Sequence, residues 1–138
     1  MAHTLVHQSA VPVLVLTERE ASSLLEKRAT TRPLRALVPL DGSALAETAL
    51  SPAAHLMAAL AAPAQGALQL VQVIQASAKR GEEGMTGVEK EEALQRTSSY
   101  LAATAEHVQT SENDLKFTIT STVVPGVDVA DTLIGLAE

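Results

Sequence analysis

The sequence predicts an α/β domain, an open and mostly parallel sheet with flanking helices, and three observations carry that prediction. Four short segments are rich in Val, Ile and Leu; amphipathic helical patterns separate the later ones; and the first three are apolar almost without interruption. Strands apolar on both faces are those of a parallel sheet covered by helices, and strands alternating with helices imply crossover connections. At 138 residues one core is expected.

The expected strands are Val11 to Leu16, Leu34 to Leu40, Ala67 to Ile74 and Phe117 to Val124. The last alternates, with Phe117, Ile119 and Val123 against Thr118, Thr120 and Thr122, which predicts a position at the sheet edge. A helix over Ala44 to Ala62 sets Leu45, Ala49, Ala53, Leu56 and Leu60 on one stripe, and Pro52 should bend or restart it. A second over Val88 to Gln109 turns Leu94, Leu101, Ala105 and Val108 inward and Glu89, Lys90, Glu91, Glu92 and Arg96 toward solvent. A third begins near Val129. Residues 17–33 form a polar linker with a helical turn around Ala21 to Glu26, and residues 77–87 read as a mobile, glycine-punctuated acidic loop.

Composition narrows the partners. The chain has one Phe, one Tyr and no Trp, so its core is built from Ala, Leu and Val. A net charge of -6 without basic runs argues against a nucleic-acid surface. The absence of cysteine fits a reducing cytoplasm, the expected location. The N-terminal apolar core is too short for a signal peptide, and "PAAHLMAALAAPA" falls short of the ~20 residues of a membrane span, so no membrane is expected. His3 and His7 share spacing but no carboxylate, so no metal is expected there. No Ser-His-Asp set is visible in local spacing, and Ser43 reads as a helix cap rather than a nucleophile.

Asp41 is the residue most open to chemistry. It follows an apolar strand, and open α/β sheets receive ligands outside the carboxyl ends of their strands. Its carboxylate could meet a phosphate-bound metal ion, or it could cap the helix that follows.

The segment "ALVPLDGSALAETALSPAAHLMAAL", followed by "GALQLVQVI" and by "FTITSTVVPGVDVADTLIGLAE", resembles the universal stress protein family, whose fold is of the adenine nucleotide alpha hydrolase type. The likeness spans residues 35–138, with "VPLDGS" its most specific element. It implies that Pro39, Leu40 and Asp41 line a nucleotide site, Asp41 near phosphates and metal, and that the Val73 backbone holds adenine. The family's phosphate loop, Gly-x2-Gly-x9-Gly-Ser/Thr, uses glycines and a helix N-terminus to cradle phosphate. No such loop follows the last strand read here, so residues 34–138 resemble a domain lacking its C-terminal strand and phosphate loop. "GEEGMTG" precedes a helix and carries Glu82 and Glu83, a poor phosphate cradle.

Residues 1–16 resemble the family's last strand, with "AVPVLVL" at their end. In the complete fold the fourth strand lies between the first and the fifth, so its absence exposes an edge on the first, and family members dimerise through the fifth. The resemblance therefore implies a homodimer or strand-exchanged oligomer through Val11 to Leu16. The function expected is a non-enzymatic stress-response or regulatory module acting through association, with no cofactor. The alternative is an ATP-binding protein, with magnesium and at most weak hydrolysis, whose site a partner chain completes. A receiver-type domain does not fit, because the strands lack its acidic pair and phosphoacceptor.

Overall fold

The computed structural model describes residues 17–29, 34–75 and 87–137. The expected strand Val11 to Leu16, the histidines His3 and His7, and nearly all of the 77–87 loop lie outside these residues. In chain order the elements are α1 (Glu18–Ala29), β1 (Arg35–Pro39), α2 (Ala44–Glu47), α3 (Leu50–Ala61), β2 (Gly66–Gln75), α4 (Gly87–Ser111), β3 (Phe117–Gly126) and α5 (Val129–Ala137).

The three strands pair in parallel in the order β1-β2-β3, so the alternating strand is outermost, as its pattern predicts. Register places Ala36, Leu68 and Ile119 abreast, then Val38, Leu70 and Ser121, on one face of the sheet. Leu37, Gln69 and Thr120, then Pro39, Val71 and Thr122, lie on the other. Two right-handed crossovers in the same direction put α3 and α4 on the same face. There Leu50, Ala54, Met57, Leu101 and Val108 close over Val38, Leu40, Leu68, Leu70 and Phe117. Leu68, Leu70 and Leu101 are essentially inaccessible, and burial of each such side chain contributes about 1.5–3 kcal/mol. α5 turns to the opposite face: a Cβ on Gly126 would lie 2.3 Å from Thr132 Oγ1 and 3.1 Å from Val73 Cγ1.

The helix expected as one stripe is two helices. α2 ends at Glu47, Thr48 and Ala49 form a turn, and α3 starts at Leu50 with Pro52 in its first turn, where the missing N–H is no loss. The restart shifts the inward face. Leu45 is 80% exposed and Leu56 lies outside the core, while Leu50, Ala54 and Met57 are buried. The stretch Ala44–Ala61 has the length and hydropathy of a weak candidate membrane span, but this break and the packing of α3 on the sheet give it a core role instead. α4 is longer than its pattern suggested, and Leu94 in its first half is exposed.

The expected linker also holds more structure than one turn. Thr17 and Glu20 form a reciprocal capping box: the Thr17 N–H donates to Glu20 Oε2 (2.8 Å), and the Glu20 N–H to Thr17 Oγ1 (3.3 Å). The Thr17 N–H and hydroxyl, both donating to Glu20 Oε2, hold the Glu20 carboxyl below its ordinary range, and the box starts a three-turn helix.

Candidate functional site

The carboxyl ends of β1 and β2 bring together all four residues singled out in the sequence. Pro39 is the last residue of β1 and lies beside Val71; Leu40 is buried and donates its N–H to the Val71 carbonyl (2.8 Å); Asp41 is exposed just beyond; Val73 is half-buried two residues further along β2. The ladder fixes which backbone groups face which way. The Ala67 N–H donates to the Leu34 carbonyl (2.9 Å), and a strand residue's N–H and C=O project to the same side. Odd residues of β2 therefore face β1. Val73 keeps that orientation past the last paired residue of β1, and among the described residues no strand stands beside it there.

By the same parity Leu34, Ala36, Val38 and Leu40 face β2, and Arg35, Leu37 and Pro39 face outward. Among the described residues this outer edge of β1 has no partner strand. Pro39 contributes a carbonyl but no N–H to it.

Asp41 does not cap the helix. Its Oδ1 accepts the Ser43 N–H (2.8 Å) and the Ser43 hydroxyl (2.5 Å) across Gly42, which holds φ at +85°. Ser43 is the cap, its Oγ accepting the Ala46 N–H (3.1 Å). This corrects the capping role expected for Asp41 itself: the turn folds the carboxylate back onto Ser43 two residues on, short of the first helical N–H groups. The Ser43 hydroxyl and amide bonds hold the Asp41 carboxyl below its ordinary range, so it is ionised at neutral pH.

Beneath this corner lies a residue that the sequence reading passed over. Gln72 sits on the α3 and α4 face of β2 beside Val123, with its Nε2 end 4.0 Å from where a Cβ on Gly42 would be. Its Oε1 is sealed from solvent and accepts no hydrogen bond.

These residues meet the nucleotide implied by the resemblance only in part. A fixed carboxylate is present, and among the described residues a stretch of the central strand has no partner beyond β1. Among the described residues no glycine loop follows a strand to face them; after β3 the chain goes directly into α5, whose first turn Asp128 caps through the Asp131 N–H (2.9 Å). Among the described residues no phosphate cradle is formed, and no chemical step through ATP follows from this arrangement.

A second polar cluster joins α3 to the end of α4, and local spacing gave no sign of it. The Ser51 hydroxyl donates to Glu112 Oε1 (2.6 Å), and His55 Nε2 lies 3.6 Å from Glu112 Oε2. The trio resembles a hydrolytic set only in composition. His55 Nδ1 is 2.8 Å from the Ser51 carbonyl, which can only accept, so Nδ1 carries the proton and cannot act as base toward the Ser51 hydroxyl 3.5 Å away. Ser51 and His55 share a helix at positions four apart, but Glu112 is 61 residues from Ser51. His107 is exposed on α4.

A parallel sheet with its first two crossover helices on one face and the next helix turning to the other defines a doubly wound α/β fold. Among solved structures the chain is similar to a protein of the universal stress protein family from Burkholderia pseudomallei, at 21% identity and a TM-score of 0.53 over 75% of this chain and 70% of that one. At that identity the likeness is one of fold. No family model and no curated protein matches the chain.

Proposed function

We propose that this chain is a universal stress protein-like regulatory or stress-response module that acts through protein association, here with a second copy, without catalysis and without a complete nucleotide site. The observation that supports this most is the outer edge of β1. Leu37 and Arg35 turn their N–H and C=O groups outward, no described strand pairs with them, and an open strand edge is a template for another strand. Val11 to Leu16, outside the described residues, is the apolar segment proposed to occupy that edge across the dimer.

Leu37→Pro tests the edge selectively, because it removes an N–H that faces away from β2. In sedimentation equilibrium the full chain is expected to be dimeric at micromolar concentration and the variant monomeric. Ala36→Pro, which removes a donor facing β2, should instead lower stability. A wild-type monomer, or a Leu37→Pro dimer as tight as wild type, would refute the proposal.

A second reading, ATP with magnesium bound at Pro39, Leu40, Asp41 and Val73 and completed by a partner chain, is favoured by the ionised Asp41 carboxylate and the unpaired side of Val73. Titration calorimetry decides it. Micromolar binding lost in Asp41→Ala supports this reading; no heat at millimolar ATP and magnesium sinks it.

A further inference from the structure

We propose that the groove between α3 and α4 is a binding site for a small aliphatic amine in its ammonium form. The groove encloses about 390 Å³, within the range of small-molecule sites, and its floor is formed by Leu50 and Val108, each 5% exposed. Its rims carry the Glu47 and Glu112 carboxylates; His107 lines it as well, and no Lys or Arg does.

Both carboxylates are held in place before any ligand arrives. The Tyr100 hydroxyl donates to Glu47 Oε1 (2.5 Å), the Ser51 hydroxyl donates to Glu112 Oε1 (2.6 Å), and His55 Nε2 lies 3.6 Å from Glu112 Oε2. Glu112 is only 16% exposed, so its charge is less screened than one at the surface. A pre-set negative groove needs no side-chain ordering when a cation enters.

The same features select the ligand class. Phosphates and carboxylates are repelled, so this groove is not a nucleotide site. A bare divalent ion is poorly served, because calcium takes six to eight oxygen ligands and magnesium a near-octahedral shell, and no cluster of three or more His, Asp or Glu able to hold a metal occurs among the described residues. An alkylammonium presents three donors, which a rim carboxylate and neighbouring hydroxyls such as Thr104 can accept, and a diamine can offer one ammonium to each carboxylate. Its methylenes cover Leu50 and Val108. The inference uses neither the edge of β1 nor the Asp41 corner, and stands or falls apart from the association reading.

The test is amide NMR of the full chain titrated with diaminobutane at fixed ionic strength, with butanol and butyrate as neutral and anionic controls. Saturable shifts at Ser51, Thr104 and Ser111 are expected, with affinity for the diamine at least about tenfold above that for butanol. Glu47→Gln and Glu112→Gln should each weaken binding about fivefold or more, and Glu92→Gln on the outer face of α4 should not. Ser111→Lys, which sets a cation at an exposed position on the groove wall, should abolish binding without relying on a rim carboxylate that the fold uses. Shifts that do not saturate, that butanol reproduces, or that survive both Glu→Gln changes and Ser111→Lys would overturn the assignment.

Discussion

Replacing Gln72 with Leu should make the protein more stable. The carboxamide oxygen lies inside the layer between the sheet and its helices without a donor. A buried polar group left unpaired costs about 1–3 kcal/mol, and Leu fills similar space with methyl groups that need no partner. The gain expected is therefore about 1–3 kcal/mol, or a rise in Tm of about 3–6 °C per kcal/mol for a chain of this length. Urea melts followed by circular dichroism measure it, with an unchanged slope showing that the unfolded state is not the cause. Gln72→Glu supplies the opposite sign, since it buries a charge at neutral pH. An equal or lower urea midpoint for Gln72→Leu would refute the reasoning and mean that the oxygen finds a donor in solution. A stabilised variant would identify Gln72 as a polar residue kept at a cost where central strands of this fold class receive ligands.

Tyr100 is the single tyrosine in a chain without tryptophan, so tyrosinate absorbance reads it alone. Burial first, and then its bond to Glu47, push its pKa up, so its midpoint should lie above that of the urea-unfolded chain. The stability it contributes is complete below the unfolded pKa and lost as pH rises through the folded one; coincident midpoints would contradict the Glu47 bond. Asp41 behaves in the reverse sense: its depressed pKa contributes stability above the unfolded value that is lost as pH falls through the folded one, so wild type and Asp41→Asn should converge in acid melts. Ser43→Ala should cost about 1 kcal/mol in the same melts by removing the helix cap. Gly66→Ala should cost about 1–3 kcal/mol, because its Cβ would lie 2.4 Å from Met57 Cγ and 3.0 Å from the Met57 carbonyl oxygen, and the backbone cannot yield as the side chain can.

Strand identity was legible because it rests on short, mostly apolar runs and, in the last strand, on apolar/Thr alternation. Leu34 to Leu40, Ala67 to Ile74 and Phe117 to Val124 each differ from the observed strands by one or two residues at their ends. Helix phase was harder to read. Pro52 announced a restart, but which of Leu45, Leu50 and Leu56 turns inward depends on how α3 meets the sheet, and only the restarted phase buries Leu50, Ala54 and Met57. The α1 start was readable in Thr17-x-x-Glu20 and was underestimated, since a charged segment without an apolar stripe gives no periodic signal. The Asp41 corner was visible as a motif, but the direction of its hydrogen bonds was not. The groove between α3 and α4 depends on Glu112 reaching Ser51 from a distant part of the chain, and no local pattern encodes that meeting.

The distribution of charge leads to one last prediction. The chain has 16 acidic residues, yet neither β1 nor β3 contains one, so the sheet edges escape the self-repulsion that a net charge of -6 imposes elsewhere. Pro39 is tolerated in β1 because its missing N–H would have faced outward. Two copies meeting at β1 bring their acidic helices closer, so salt should tighten the dimer as it screens that repulsion within a Debye length of about 10 Å at 0.1 M. An ammonium in the groove is held by attraction to Glu47 and Glu112, so salt should weaken it. Measured in one buffer series, the dimer constant and the diamine constant are expected to move in opposite directions as salt rises. A dimer that loosens with salt would place charge pairs, rather than strand pairing at an edge without acidic residues, at the centre of association.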